Sequence, residues 1–159
     1  MFVKDYIGRE ISVHDDVCQV AQKRLMPAGG TIYSDGKVIV FHHLYAPILN
    51  FFVLAPIRHV ETEDDLSVEE KESMQIATQK LQEFLEKENM PTKKVSFTGA
   101  YDHHFKVWFI PDIEPFRHGI NASIFTDKKA MERAQYPVAE AYDIMYIIRR
   151  LRGFFDNES

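Results

Sequence analysis

The stretch from residue 103 to residue 110 alternates between side chains that can do chemistry and large apolar side chains. One side carries His104, Lys106 and Trp108, and the other carries Phe105, Val107 and Phe109. Side chains of a β-strand point alternately to opposite faces, so the pattern predicts a strand with a buried apolar face and a second face that lines a surface or pocket. An imidazole on that second face can act as a nucleophile near pH 7, and an ammonium group can bind phosphate. Phe105→Ala is therefore expected to cost about 3–5 kcal/mol, and Lys106→Ala little.

Two pairs of histidines are adjacent in the sequence, His42 with His43 and His103 with His104. Neighbouring residues of a strand face opposite sides of the sheet, so the members of each pair should point apart. His104 is then the member of its pair that shares a face with Lys106. One histidine of the first pair is expected to lie in the core or at a sheet edge.

Local signals predict the elements that position these residues. Asp35-Gly36 is typical of a tight hairpin turn between strands 31–33 and 37–41, and further strands are predicted at 51–55, 95–98 and 103–110. Ser67 with Glu70 fits a capping box at the start of a long helix over 67–89. The apolar face of that helix consists of Met74, Ala77, Leu81 and Leu85.

Shorter helices are predicted at both ends of the chain. Asp15 or Asp16 can cap a helix within 15–25, and Asp127 can cap a helix that ends at Gln135. Pro137 is suited to the first turn of a last helix. Its predicted apolar face consists of Val138, Ala141, Met145, Ile148 and Leu151, and its end carries Arg149, Arg150 and Arg152, which complement the helix dipole or could bind an anion.

Composition limits the classes of function. A chain of 159 residues is long enough to form one domain with its own core. The net charge of −5 disfavours a nucleic-acid partner, and no apolar run reaches the length of a membrane span. The first ten residues lack an apolar signal core, so secretion is not expected. Cys18 is the one cysteine, which excludes an intramolecular disulfide and suits a cytoplasmic location.

Residues 99–111 resemble the catalytic strand of the histidine triad family, which carries H-x-H-x-H followed by apolar residues and often a proline. Without gaps, Gly99 takes the family's glycine and His104 its first histidine. Lys106 then stands at the family's nucleophile, and Trp108 at its third histidine. Ala100 stands where the family has a glutamine that holds phosphate.

Residues 41–60 resemble a second block of the same family. The positions that agree in register are Phe41, Leu54, Pro56, His59 and Val60. His43 stands where the family keeps a ribose-binding acid, and Asn50-Phe51 replaces Gly-His. The resemblance implies catalytic positions at His104 and Lys106, and substrate-binding positions at His43, Asn50, His59, Gly99 and Trp108.

The resemblance covers residues 16–111 of a single domain and implies an α+β fold, a histidine triad-like antiparallel sheet with a long central helix. Residues 112–159 would then be a C-terminal helical extension. The family commonly dimerises through its long helix and a sheet edge, so a homodimer is expected. Trp108 could stack on a purine, or it could fill the space of a lost active site, which Phe51 also favours.

The family transfers or hydrolyses nucleoside monophosphates through a covalent histidine. A lysine, with an ordinary pKa of about 10.4, would need strong desolvation or a nearby cation to replace it. The resemblance therefore implies a protein that binds a nucleotide or another phosphorylated small molecule, with residual or altered hydrolase activity. One alternative is an active hydrolase of dinucleoside polyphosphates or nucleoside phosphoramidates, with Lys106, His103 or His104 substituting for the triad. Another is a catalytically dead structural or interaction module.

The sequence contains candidate ligands for a metal site, since some members of the family bind a structural zinc ion. These candidates are Cys18, His59 and either His103 or His104. Those members use C-x-x-C, and here the second position is Ala21. The three ligands show no diagnostic spacing. The sequence therefore predicts neither a metal nor another cofactor.

Overall fold

A five-stranded antiparallel sheet forms the centre of the molecule. The computed structural model describes residues 2–13, 16–98 and 103–157 of the chain. The strands lie side by side in the order β3, β4, β5, β7, β6. Their bounds are Tyr33–Ser34 (β3), Val38–His42 (β4), Phe52–Pro56 (β5), Thr92–Phe97 (β6) and Lys106–Pro111 (β7). Because helices cover this sheet, the predicted α+β class is confirmed.

A tight turn through Asp35 and Gly36 joins β3 to β4. Gly36 has a φ angle of 88°, in the left-handed region that favours glycine. The carboxylate oxygen Oδ1 of Asp35 accepts hydrogen bonds from the backbone N–H groups of Lys37 and Val38, both at 2.9 Å. The predicted hairpin is confirmed, with its strands displaced by one or two residues towards the C-terminus.

Helix α2, Val68–Lys87, packs on one face of the sheet. The hydroxyl of Ser67 accepts the N–H of Glu70 at 3.1 Å, and the carboxylate of Glu70 accepts the N–H of Ser67 at 2.8 Å, so the capping box is confirmed. The helix buries the predicted residues and adds Phe84. Together with the last helix, α5 (Ala141–Asn157), it forms the first of two core clusters, which also holds Phe105, Val107 and Phe109.

The opposite face of the sheet is buried as well. Helix α1 (Asp16–Ala21) covers it together with residues 112–140, which include α3 (Glu114–Arg117) and α4 (Lys128–Arg133). The cover supplies the apolar side chains of Val17, Val20, Phe116, Phe125, Met131 and Tyr136. All six residues of β7 are buried, so the second face of the strand does not line an exposed surface, and that part of the prediction is wrong. The alternation of side chains along the strand does not reveal that segments distant in sequence bury its second face.

Helix α5 begins later than the sequence pattern predicts. Pro137 does not open it, because Val138 forms an antiparallel bridge with Ile48, and the N–H of Ala139 donates to Pro47 at 2.7 Å. The buried face of the helix consists of Ile144, Ile147, Ile148, Leu151 and Phe155. The predicted face was therefore correct at two positions and wrong at the three nearest Pro137. Neither α5 nor any other helix in the described residues is long and apolar enough to cross a membrane.

The three arginines expected at the end of the last helix lie inside it. Arg150 forms an ion pair with Glu88, with Nη1 and Oε2 at 2.9 Å. Arg152 donates to the backbone carbonyl of Thr31 at 3.0 Å and also to that of Gly29. More than one helical turn follows Arg152, so the prediction that these arginines complement the helix end is wrong.

Residues that precede α1 form a two-stranded antiparallel ribbon that the sequence analysis did not predict. Its strands are β1, Phe2–Lys4, and β2, Glu10–Ser12. The carboxylate of Asp5 accepts hydrogen bonds from the N–H groups of Ile7 and Arg9 and stabilises the turn. The hydroxyl of Tyr6 lies 2.7 Å from Nδ1 of His42, so the ribbon contacts the end of β4.

Candidate functional site

Strand β7 lies between β5 and β6 and begins at Lys106, one of the two predicted catalytic residues, on the face under α1. The other, His104, lies just before the strand, whereas the sequence pattern had placed it within the strand. Lys106 and Trp108 share this face because they are two residues apart. His43 follows β4, and its N–H donates to the carbonyl of Phe51 at 2.8 Å, which holds it beside the sheet. The rings of His43 and Trp108 lie 5.2 Å apart. Residues from two distant segments of the chain therefore meet on one face.

Lys106 is buried, and its ammonium nitrogen Nζ lies 3.3 Å from the carboxylate oxygen Oδ1 of Asp16. The side chains of the pair are 3% and 14% exposed, so water reaches the carboxylate and hardly reaches the amine. Asp16 is the first residue of α1, and the ion pair therefore attaches that helix to β7. An ammonium group has no lone pair with which to attack phosphorus. Position 106 therefore has the geometry of a buried ion pair.

Trp108 lies in a group of aromatic rings that we call the aromatic cluster, formed by His43, Phe51, Trp108 and Phe125. The ring centroids of Phe51 and Phe125 lie 4.8 and 6.1 Å from that of Trp108. Edge-to-face contacts such as the 75° pair of Phe51 and Trp108 are favourable for aromatic rings. The geometry favours the interpretation of Trp108 as a residue that fills space.

His43 is held as one defined tautomer. Its Nδ1 accepts the N–H of Ala46 at 3.1 Å, so the proton resides on Nε2. Burial, then the neighbouring His42, then the charge of Lys106 hold the pKa of His43 well below its ordinary value. The similar family has a carboxylate here that accepts hydrogen bonds, whereas the neutral imidazole presents a donor. Nε2 is buried and has no hydrogen-bond partner among the residues that the structure describes.

Asn50 occupies a backbone position that favours glycine. Its φ angle is 66°, in the left-handed region that asparagine tolerates better than most residues. This explains physically how asparagine can stand where the similar family has glycine. The side-chain oxygen Oδ1 is buried and finds no partner within the described ranges. The segment from 43 to 50 thus contains two polar atoms that a ligand or a water molecule could satisfy.

A second group of polar residues, which we call the thiol–imidazole cluster, consists of Cys18, His59 and His104. The sulfur Sγ of Cys18 lies 3.3 Å from Nδ1 of His59 and 3.2 Å from Nδ1 of His104. Nε2 of His104 donates to the backbone carbonyl of Pro56 at 2.7 Å, which leaves Nδ1 with its lone pair towards the sulfur. The three ligand atoms lie within 4.8 Å of one another. The sequence spacing had suggested scattered residues, and the structure brings them together.

The remaining predicted residues divide between described and undescribed parts of the chain. Gly99 and Ala100 lie outside the described residues. His103 is exposed with a φ angle of 51° and belongs to neither cluster. The sequence analysis did not predict that Asp16 pairs with Lys106 or that Phe125 packs against Trp108. It identified Asp16 only as a possible helix cap, and no sequence pattern pointed to Phe125.

Comparison with known proteins gives structural similarity without close sequence similarity. No family model matches the sequence, and no curated protein matches it. A zinc-bound histidine triad family protein from Mycobacterium smegmatis superposes with a TM-score of 0.57, at 13% identity, over 89% of this chain and 95% of that one. A Hit-like protein involved in cell-cycle regulation from Bartonella henselae gives 0.56, at 17% identity, over 86% and 92%.

A histidine triad nucleotide-binding protein from Candida albicans superposes with a TM-score of 0.52, at 11% identity, over 62% of this chain and 74% of that one. At such identities the similarity establishes the fold and leaves the activity open. It agrees with the order of sheet and helices found here and with the two blocks of sequence resemblance. The chain has a divergent histidine triad-like fold.

Proposed function

We propose that this protein is a histidine triad-like domain that does not transfer nucleotides and acts as a structural or interaction module. The observation that supports this is the buried ion pair of Lys106 with Asp16 at the position of the family's nucleophile. Replacing imidazole by an ammonium group removes the lone pair that would attack phosphorus. Because its amine is buried beside a carboxylate, the side chain at this position serves to stabilise the fold.

Two further positions support the same proposal. Trp108 replaces an imidazole and is packed in the aromatic cluster, so that position can neither hold phosphate nor pass a proton. Ala100 has no amide with which to hold a phosphate oxygen. Catalytic groups that act as a unit lose most of their effect when one is removed, and here three positions differ.

Incubation with a nucleoside phosphoramidate such as adenosine phosphoramidate tests this proposal. We expect hydrolysis at the background rate and no acid-labile nucleotidyl adduct in the intact mass of the protein. Lys106→His alone should restore little, since positions 100 and 108 remain changed. Robust wild-type hydrolysis that is lost in His104→Ala or Lys106→Ala would make the protein an enzyme with a rewired triad.

Binding of a nucleotide or another phosphorylated small molecule is the second candidate function, and one observation favours it. Nε2–H of His43 is a buried donor without a partner in the described residues, and the charge of Lys106 acts on the same ring. A donor and a cation together favour an anionic oxygen such as that of a phosphate group. In this proposal His43, Asn50 and Lys106 contact the ligand, and Trp108 forms one wall.

Thermal unfolding with adenosine monophosphate and with inorganic phosphate distinguishes the two candidates. A ligand that binds the native state raises Tm. If the second candidate is correct, Tm rises for the wild type and for the exposed control His118→Ala, and the rise is absent in His43→Phe. Added salt should reduce it. No shift at millimolar concentration of either compound would leave the structural module as the function.

We also propose that the protein forms a homodimer. Strand β6 forms one edge of the sheet, so its outer backbone groups are placed to pair with a second copy. Light scattering during size-exclusion chromatography should give twice the mass of the chain. Lys94→Pro removes a β6 backbone donor and should shift the protein towards the monomer if β6 is the interface.

A further inference from the structure

We propose that a cleft beside the N-terminal ribbon binds a small aromatic carboxylate. This ribbon cleft has a volume of about 370 Å³. Four parts of the chain line it, namely residues 3–6 of the ribbon, residues 45 and 47 after β4, residues between 125 and 131, and residues 138–141 up to the start of α5. Small-molecule sites in proteins have volumes of roughly 300–1,000 Å³, so the cleft is large enough for a compact ring system with one substituent.

Three aromatic rings line the ribbon cleft, those of Tyr6, Tyr45 and Phe125. The structure holds two of them in place by contacts away from the cleft. The hydroxyl of Tyr6 lies 2.7 Å from Nδ1 of His42, and the ring centroid of Phe125 lies 6.0 Å from that of Tyr136 in an edge-to-face contact. Rings that are already oriented offer flat apolar surface to a planar ligand, and little side-chain entropy is lost on binding.

Charged side chains stand where the ribbon cleft opens to solvent. Lys4 and Lys128 line it and are exposed, and neither forms an ion pair with a residue that the structure describes. Glu140 also lines the cleft and is exposed. Asp5 contributes no net charge, because its carboxylate accepts a hydrogen bond from the guanidinium group of Arg9 at 2.8 Å. Two lysines and one glutamate leave an excess of one positive charge at the opening.

This excess charge selects a monoanion as the ligand. A carboxylate carries one negative charge at pH 7, whereas a phosphate monoester carries about 1.5 to 2, and Glu140 repels the surplus. The tyrosines do not add negative charge that would oppose a carboxylate. Burial, then the neighbouring Asp5 and Tyr45, raise the pKa of Tyr6 well above its ordinary value, so its phenol stays neutral. Flat apolar walls and one net cation together favour an aromatic ring that bears one carboxylate group.

The ribbon cleft is separate from the position proposed for a nucleotide. Among the described residues that line it, none is His43, Asn50, Lys106 or Trp108. The inference therefore holds whether or not the protein binds nucleotides. A ligand in the cleft would contact the ribbon and residues 125–141 together, so it would hold these two segments to each other and stabilise the native state.

Three probes that share one naphthalene ring test the ligand class with the full chain. They are 2-naphthoate, which is a monoanion, 2-naphthyl phosphate, which is close to a dianion, and the neutral 2-naphthalenemethanol. Equilibrium dialysis measures their affinities. We expect one equivalent of 2-naphthoate to bind with a Kd of about 1 mM or tighter. The other two probes should bind at least about threefold more weakly.

Variants of the lining residues test the place of binding. Lys128→Met should weaken 2-naphthoate at least about threefold and leave the neutral probe unchanged. Lys129→Met is the matched control, because Lys129 is an exposed neighbour on α4 outside the lining of the cleft, and it should bind as the wild type does. Ala141→Trp places a large ring in the cleft and should abolish binding of all three probes. Thermal unfolding checks that this variant is folded, and Lys128 is exposed, so its variant should fold in any case.

Four results would overturn the proposal. No binding of 2-naphthoate at millimolar concentration would remove the site. Equal affinity for the neutral probe would remove the role of the lysines, and tighter binding of 2-naphthyl phosphate would assign the cleft to phosphate esters. Affinity for 2-naphthoate that is unchanged in Lys128→Met, or in folded Ala141→Trp, would place the binding elsewhere on the molecule.

Discussion

Two neighbouring parts of one sheet face differ sharply in their chemistry. Around Trp108, the aromatic cluster buries its rings against the cover from residues 112–140. Around His104, the thiol–imidazole cluster keeps polar atoms within hydrogen-bond distance of one another. Lys106, the first residue of β7, lies between His104 and Trp108 in sequence and is paired with Asp16.

The difference follows from how each part satisfies its polar atoms. Burying a polar atom costs free energy unless it gains a hydrogen bond, so polar side chains persist where partners exist. His104 has such partners on both ring nitrogens. At positions 51 and 108, large aromatic rings are buried in contact with one another.

The largest effect should come from the aromatic cluster. Trp108→Ala removes a side chain that is 4% exposed and leaves a cavity among Phe51 and Phe125, so the free energy of unfolding should fall by about 3–5 kcal/mol. Urea denaturation followed by circular dichroism measures it. His59→Ala, in the other cluster, should cost less than about 1 kcal/mol, because that side chain is exposed. Equal losses of unfolding free energy in the two variants would contradict the difference between the two clusters.

Acid should destabilise the protein next most strongly, through the buried histidines. Burial lowers the pKa of His42 to about 4, from the ordinary value near 6.5 in the unfolded chain. The unfolded state therefore binds the proton first, and stability that is present above pH 6.5 is lost as the pH falls towards 4. His42 alone accounts for about 3 kcal/mol over that range.

Urea titrations at several pH values measure this loss. The neutral variant His42→Gln should show a slope between pH 6.5 and 4 that is smaller by about 1.4 kcal/mol per pH unit. The exposed His118→Ala should keep the wild-type slope. A slope in His42→Gln as steep as that of the wild type would assign the acid sensitivity to other groups.

A smaller effect should come from the ion pair between the two clusters. The alternation of the strand predicted that Lys106→Ala costs little, and burial beside Asp16 changes that expectation. Lys106→Met keeps most of the volume and leaves the carboxylate without its cation, at a cost of about 2 kcal/mol. The cost stays moderate because Asp16 keeps some contact with water. In a double-mutant cycle, Asp16→Asn should recover part of the loss, and purely additive effects would contradict the pairing.

The sequence predicted those elements whose causes are local. The capping box of Ser67 and Glu70 and the turn at Asp35 each depend on residues within four positions, and both are confirmed. The start of α5 was misplaced because Pro137 suits a first helical turn, yet the chain at Val138 bridges to Ile48, ninety residues away. A tertiary contact thus overrode a local preference.

For the candidate site, the sequence predicted which positions correspond to those of the family, and it did not predict their contacts. The two resemblance blocks placed His43, Lys106 and Trp108 at corresponding positions, and the structure brings them together. The burial of Lys106 depends on Asp16, and the thiol–imidazole cluster on residues 18, 59 and 104. Contacts over such separations leave no periodic trace in a single sequence.

The clamp of Arg152 on the carbonyls of Gly29 and Thr31 affects how copies of the protein can join. These two acceptors lie just before β3, the two-residue strand at one side of the sheet. The strand at this border is short, and the carbonyls next to it already accept hydrogen bonds from a guanidinium group. Few backbone groups of this border are therefore left to pair with a further strand. In the proposed homodimer, these contacts of Arg152 would favour β6 as the border that pairs, and they would act against open-ended growth of the sheet, because closed pairs form where only one border is receptive.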